Sequence, residues 1–115
     1  MSKRSQHLLK PVQAAALMGL LGLFALAVPS AFASDAKDLA RKNQCMSCHK
    51  EEGKLVGPSF KDVAAKYRED AEAAAKLAAK VRSGGKGVWG SVPMPPSKTI
   101  SDDDLKTVIS WILSH

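Results

Sequence analysis

Two cysteines and a histidine stand close together near the middle of the chain, in the order Cys45-Met46-Ser47-Cys48-His49. This C-x-x-C-H spacing is the signature for covalent attachment of a c-type haem. Two thiols separated by two residues can add to the two vinyl groups on one side of a porphyrin. The adjacent histidine can then reach the iron. The motif therefore predicts one haem c, attached through Cys45 and Cys48, with His49 as an axial ligand.

Two other kinds of site use the same residue types. A disulfide between Cys45 and Cys48 could act as a redox pair, but a thioredoxin-like site lies near a βαβ pattern, which the sequence does not contain. A structural zinc ion takes four ligands, and the chain has no second C-x-x-C or paired histidine. A motif of only five residues can also occur by chance. The export signal and the sparse core described below favour the haem interpretation.

An iron that only carries electrons needs a second axial ligand, and the candidates are Met46, Met94 and His115. Met46 lies between the two attachment cysteines and cannot swing over the opposite ring face. His115 is the last residue, where we expect fraying. Met94 lies between prolines in the segment 92–96, which suits a rigid loop better than a core position. Met94 is therefore predicted as the sixth ligand, and His/Met ligation raises the reduction potential.

The N-terminal segment has the pattern of a secretory signal peptide. Its first ten residues carry three basic side chains and no acid: Lys3, Arg4 and Lys10. No residue from Val12 to Val28 is charged, and Ala31-Phe32-Ala33 has small residues at both recognition positions. A transmembrane anchor is the alternative, but it needs about 20 apolar residues, and this run is shorter. We expect cleavage after Ala33, export to the periplasm of a Gram-negative bacterium, and a mature chain of 115 − 33 = 82 residues, numbered 34–115.

The mature chain is mildly basic and poor in large apolar side chains. It keeps 17 − 3 = 14 Lys and Arg against 11 acids, a formal charge of +3 that two haem propionates would largely offset. Without an Arg-rich run or interleaved aromatics, this charge does not indicate nucleic-acid binding. A domain of this size is near the lower limit for a self-sufficient core. We therefore expect a bound group at its centre.

The periodicity of the mature chain predicts an all-α fold of four to five short helices, with no alternating strand pattern. Four helices can be placed: from a cap at Ser34 or Asp35 to about Asn43, from about Phe60 to Tyr67, from Glu69 to Arg82, and from a cap at Ser101 to Ser114. The apolar stripe of the last helix consists of Leu105, Val108, Ile109 and Ile112.

Several segments in order resemble the class I c-type cytochromes of the short bacterial c-551 and c-552 type. They are the haem motif, Val56–Ala64, Gly87-Val88-Trp89-Gly90, Pro93-Met94-Pro95-Pro96 and the last helix. Together they cover nearly all of residues 34–115. The resemblance implies the cytochrome c fold, with its helices wrapped around one covalently bound haem.

The resemblance also implies roles for residues around the haem. Pro58 matches the proline whose carbonyl bonds to the second nitrogen of the haem histidine, and Trp89 matches the tryptophan that donates to a haem propionate. Lys80 stands where the family often has an arginine facing a propionate, so bidentate recognition is lost, and Arg82 is a possible substitute. Ser97 stands where the family often has an asparagine near the methionine sulfur.

Members of the family carry electrons and are not enzymes, and they act with redox partner proteins. The resemblance implies a cytochrome bc1-type donor and, as acceptors, a nitrite reductase, a cytochrome c peroxidase or a terminal oxidase. We expect a monomer that binds no nucleic acid and has no stable membrane insertion after signal cleavage. The rival functions are a haem peroxidase or oxygen-reducing enzyme, a membrane-tethered cytochrome or reductase subunit, and a haem-free thiol–disulfide protein.

Electrons are expected to pass at a haem edge near the two cysteines. An apolar docking patch is predicted there from Met46, Val92, Pro93 and Pro95. Four lysines could surround it: Lys50, Lys54, Lys86 and Lys98. The alternative is that these lysines are ordinary solvated side chains. Charges at such a rim mainly speed the encounter with a partner.

Overall fold

The computed structural model of the protein describes residues 30–115. This part of the chain contains four α-helices and no strand, which confirms the all-α prediction. The helices are α1 (Ser30–Lys42), α2 (Phe60–Tyr67), α3 (Ala73–Ser83) and α4 (Asp102–Leu113), with a 3₁₀ turn at Cys45–Ser47. No helix within residues 30–115 is long and apolar enough to cross a bilayer. The predicted basic and apolar parts of the signal segment lie outside the described residues, so cleavage after Ala33 stays a prediction.

Helix α4 forms the centre of the fold, and α1, α2 and α3 all pack against it. The predicted apolar stripe of α4 is buried, as is Trp111 beside it. Helix α1 meets α4 with two alanines, Ala36 and Ala40, whose side chains are completely buried. Small side chains allow the two helix backbones to approach closely, so the large apolar groups of this core come mainly from one helix.

The helix starts follow local hydrogen bonding. The Ser59 hydroxyl accepts from the Asp62 N–H at 3.0 Å, and the Ser101 hydroxyl accepts from the Asp104 N–H at 3.1 Å, as expected of N-caps. The predicted cap of the last helix is thereby confirmed. Helix α1 begins at Ser30, ahead of the predicted cap, because Ala31-Phe32-Ala33 contains no helix breaker.

Helix α3 begins at Ala73, four residues later than predicted from Glu69. The cause is Asp70, whose carboxylate accepts the Glu72 N–H at 2.9 Å and holds the chain in an Asx turn. The Lys76 ammonium donates to the same carboxylate at 2.6 Å and lowers the pKa of Asp70. Helix propensity over Glu69–Glu72 is therefore overridden by a side chain that bonds to the backbone.

The connection between α3 and α4, residues 84–100, has no regular structure but is attached to the helices. Gly85 and Met94 exchange two backbone hydrogen bonds, of 3.0 and 2.8 Å, and the Ser97 N–H donates to the Val81 carbonyl at 2.8 Å. The Arg82 guanidinium donates to the Ile100 carbonyl and to the Asp102 carboxylate, each at 2.5 Å. These bonds fix both ends of the segment, which we call the 84–100 loop.

We expect Ser101→Ala to destabilise the protein by about 1 kcal/mol, because the Asp104 N–H loses its cap. Ser110→Ala, at an exposed position of the same helix, is the control. Alanine has the higher helix propensity, so that change should be neutral or stabilising by up to about 0.5 kcal/mol. Denaturant unfolding of both variants measures the difference, and equal effects would contradict the capping role of Ser101.

Candidate functional site

A largely apolar cavity of about 340 Å³ lies between the 3₁₀ turn, the three helices α2, α3 and α4, and the 84–100 loop. All seven residues that the sequence singles out for a cofactor line this cavity: Cys45, Cys48, His49, Pro58, Lys80, Trp89 and Met94. They come from both halves of the chain. The fold therefore brings the whole predicted set to one place.

The His49 imidazole is held from three directions. Its Nδ1 lies 2.7 Å from the Pro58 carbonyl oxygen, and its ring stacks on Phe60 with centroids 5.5 Å apart and an interplanar angle of 20°. A Cβ on Gly57 would lie 2.5 Å from the His49 Cε1, so only glycine fits there. Because a carbonyl only accepts, Nδ1 carries the proton, and Nε2 carries the lone pair with which an imidazole binds a metal.

The segment around His49 is closed by backbone hydrogen bonds. The Gly57 N–H donates to the Cys48 carbonyl at 2.8 Å, and the Phe60 N–H donates to the Lys50 carbonyl at 2.9 Å. Glu51 forms an ion pair with Lys37 of α1, and this hydrogen bond lowers the pKa of the Glu51 carboxyl. The loop is thereby attached to both α1 and α2.

The two cysteines both line the cavity. The 3₁₀ turn is closed by the Cys48 and His49 N–H groups, which donate to the Cys45 carbonyl at 3.2 and 3.0 Å. Both thiols are free, and burial raises the pKa of Cys45. Within residues 30–115, no three His, Cys, Asp or Glu side chains cluster as metal ligands would.

Met94 reaches the cavity from the 84–100 loop, where the two hydrogen bonds with Gly85 fix its backbone. Gly84 has a φ of +66°, and a Cβ there would collide with the Met94 carbonyl oxygen. The close approach of α3 to the Met94 loop therefore requires glycine at position 84.

The two other candidate ligands do not line the cavity. Met46 is half-buried and packs against the hydrophobic core. The expected fraying of His115 is wrong. Its side chain is 16% exposed, because the imidazole packs against Trp111 with centroids 4.9 Å apart and donates from Nδ1 to the Trp111 carbonyl at 3.0 Å.

The charged side chains of the cavity wall are lysines. Of the described residues that line it, Lys54, Lys80 and Lys86 carry charge, whereas Arg82 is bonded to Asp102 and lies outside the lining. The Lys66 ammonium lies 5.5 Å from the centroid of the Trp89 ring, a cation–π distance that the sequence pattern did not indicate.

Several exposed apolar residues line the cavity, and we call them the rim. They match the predicted docking patch only in part. Val92, Pro93 and Pro95 are exposed and line the cavity, and Val92 is 62% exposed. Met46 does not line the cavity and packs against the core instead. Val56 and Val88, each 49% exposed, extend the rim and were missed from the sequence. Isolated valines in loops carry no signal until the fold brings them together.

The residues present fit a c-type haem. An imidazole nitrogen and a thioether sulfur are a ligand pair that iron takes in cytochromes c, and two thiols lie on the same cavity. The walls are apolar, as the faces of a porphyrin require. Ammonium groups on the lining suit its carboxylates.

Comparisons with known proteins agree with this site. A family model described as Cytochrome c matches residues 33–115. Cytochrome c-552 of Nitrosomonas europaea is 48% identical over 99 residues, which cover 86% of this chain and 95% of that protein. Cytochrome c-551 of Pseudomonas aeruginosa is 43% identical over 100 residues, which cover 87% and 95% of the two chains.

Solved structures give the same result. The crystal structure of wild-type Nitrosomonas europaea cytochrome c552 superposes with a TM-score of 0.66 and 51% identity, over 68% of this chain and 96% of that chain. The class 1 cytochrome MtoD from Sideroxydans lithotrophicus superposes with a TM-score of 0.60 and 38% identity, over 70% and 92%.

We expect Gly84→Ala to destabilise the protein more than Gly53→Ala. Both glycines have positive φ, +66° and +74°, but no atom lies within 4 Å of a Cβ on Gly53. A side chain at positive φ costs about 1–3 kcal/mol at either position, and the collision with the Met94 carbonyl adds about 1–3 kcal/mol at Gly84. Denaturant unfolding measures both. Equal losses would mean that the contact between Gly84 and the Met94 loop does not constrain the fold.

Proposed function

The chain belongs to the cytochrome c family, and on this basis we propose that it is a periplasmic carrier of single electrons whose iron is bound by His49 and Met94. As a member of the family it carries haem c, attached covalently through Cys45 and Cys48. The observation that carries the proposed ligation is that both residues line one cavity. The His49 side chain is bonded to the Pro58 carbonyl, and the Met94 backbone is bonded to Gly85.

The bound haem supplies reversible one-electron chemistry, and the protein determines its environment. The Pro58 carbonyl keeps the proton on the Nδ1 of His49. The lone pair of Nε2 therefore stays available to the iron, whether the iron is ferrous or ferric. The two backbone hydrogen bonds with Gly85 hold the backbone of Met94 in place. Because both donors belong to fixed segments, little rearrangement accompanies a change of charge at the site.

We assign Trp89 and Lys80, two further residues of the cavity lining, to the propionates of the haem. Trp89 is proposed to donate its indole N–H to a propionate, and Lys80 is proposed to face a propionate as a point charge. Lys80 is supported over Arg82 because its side chain lines the cavity, whereas the Arg82 guanidinium is bonded to Asp102 and to the Ile100 carbonyl.

A carrier is favoured over a haem enzyme by the Met94 loop. An enzyme that binds peroxide or oxygen keeps one iron position open, whereas Met94 is held at the cavity by two backbone hydrogen bonds.

Redox partner proteins are proposed to dock on the exposed rim around Val92, Pro93 and Pro95. The proposed partners are a cytochrome bc1-type donor and a nitrite reductase, a cytochrome c peroxidase or a terminal oxidase as acceptor. Such contacts are small and transient.

The state of the exported protein tests the proposal as a whole. We expect the mass of residues 34–115 plus one haem, and a reduced pyridine haemochrome spectrum with the signature of two thioether links. A retained N-terminal segment would indicate a membrane-tethered cytochrome instead. A colourless sample with the mass of the bare polypeptide would refute haem attachment.

We expect Met94→Ala to lower the reduction potential strongly and to open the iron to added imidazole or cyanide, because the thioether is lost. Met46→Ala is the matched control, since Met46 packs on the core and lies outside the cavity. It should lose stability but keep the parent potential and bind neither ligand. Potentiometric titration and visible spectra measure both properties. A Met94→Ala protein with the parent potential would exclude Met94 as the ligand.

A further inference from the structure

Four aromatic rings form one contiguous cluster from the end of α4 to His49. The His49 ring stacks on Phe60, and Phe60 meets Trp111 edge-on at 5.3 Å and 70°. His115 contacts both neighbours, with its centroid 6.1 Å from Phe60 and 4.9 Å from Trp111. His115 lies just beyond the end of α4, and its bond to the Trp111 carbonyl brings its ring against Trp111. Phe60 is thereby enclosed by His49 on its face, by Trp111 of α4 and by His115, which follows the end of α4.

The His115 imidazole is held in this position by bonds of its own. Its Nδ1 donates to the Trp111 carbonyl at 3.0 Å, and its backbone N–H donates to the Ile112 carbonyl at 3.3 Å. Its Nε2 lies 3.9 Å from a carboxylate oxygen of Glu51. The ring therefore contacts both Phe60 and the loop that continues from His49.

Movement of Phe60 would reach His49 by two routes. One is the stacked ring itself. The other is the backbone, because Pro58, whose carbonyl accepts from His49, is separated from Phe60 only by the capping residue Ser59. A ring that tilts at Phe60 thus disturbs both the face and the hydrogen bond of the imidazole. That hydrogen bond orients a metal-bound histidine and raises its basicity.

We propose that His115 is a positioning residue for His49: together with Trp111 it holds Phe60 against the imidazole and thereby keeps the Nδ1–H bond to Pro58 closed. The inference rests on the proposed function, in which His49 is the axial ligand. His115 does not line the cavity, and it acts through Phe60.

Hydrogen exchange at the His49 Nδ1–H tests this inference in the haem-loaded protein. In ¹⁵N-labelled reduced protein, its exchange rate is divided by that of the buried Val108 amide, which reports opening of the core. Removing one ring contact in His115→Ala should raise this ratio by up to about tenfold. His115→Phe keeps a ring at the same place and should restore the parent ratio.

Ser114→Ala is the matched control. The Ser114 hydroxyl donates to the same Trp111 carbonyl, at 2.6 Å, but provides no ring against Phe60. This variant should leave the exchange ratio unchanged. The positioning role would be overturned if His115→Ala had the same exchange ratio as the parent protein. It would also be overturned if Ser114→Ala raised the ratio as much as His115→Ala does.

The failure of the proposed ligation gives a different result. In the reduced parent protein, the His49 ring protons should show the large upfield shifts of a ligand lying over a porphyrin. If the His49 ring protons of the parent protein had the chemical shifts of an ordinary histidine, His49 would be refuted as the ligand, and this inference with it. Large shifts combined with an unchanged ratio in His115→Ala would refute only this inference and leave the ligation intact.

Discussion

The cavity walls that carry the two proposed iron ligands belong to segments without regular secondary structure, so backbone hydrogen bonds must fix them. His49 is held through the Pro58 carbonyl, and Met94 through its paired bonds with Gly85. Both arrangements bring backbone so close that a side chain would collide, at Gly57 in one wall and at Gly84 beside the other. An isolated loop has too little buried surface to hold such a geometry. The helices are needed chiefly because they anchor the ends of these loops.

The distribution of apolar side chains follows from the same arrangement. A cavity between the helices and the 84–100 loop removes space that a small domain would otherwise fill with its core. The remaining large groups are concentrated on α4, and α1 contributes Ala36 and Ala40, which allow it to lie close. Trp111 of α4 also joins the ring cluster around Phe60. The helix that supports the fold is thus the same one that supports the wall behind His49.

Local signals were sufficient to predict most of the helices. The haem motif and the family resemblance identified seven of the residues that line the cavity, but not Val56 and Val88. Phe60–Tyr67 and the Ser101 cap depend on neighbouring residues only, so they could be read from the sequence. The start of α3 could not, because the bond between Asp70 and the backbone outweighs helix propensity. The placement of His115 and the contact of Lys66 with Trp89 depend on residues distant in sequence. Contacts between residues far apart in the sequence leave no periodicity or motif spacing from which they could be predicted.

The charge at the cavity differs from what the net charge of the sequence indicates. A formal charge of +3 on residues 34–115 is mild, yet the charged side chains among the described lining residues are all lysines. The acidic side chains of α4 lie in its first turn, where they interact favourably with the helix dipole. One of them, Asp102, also forms an ion pair with Arg82. Lys54, Lys80 and Lys86 therefore give the cavity a local positive potential. The propionates of a bound haem would offset part of it, so the charge that meets a redox partner is smaller than the number of lysines implies.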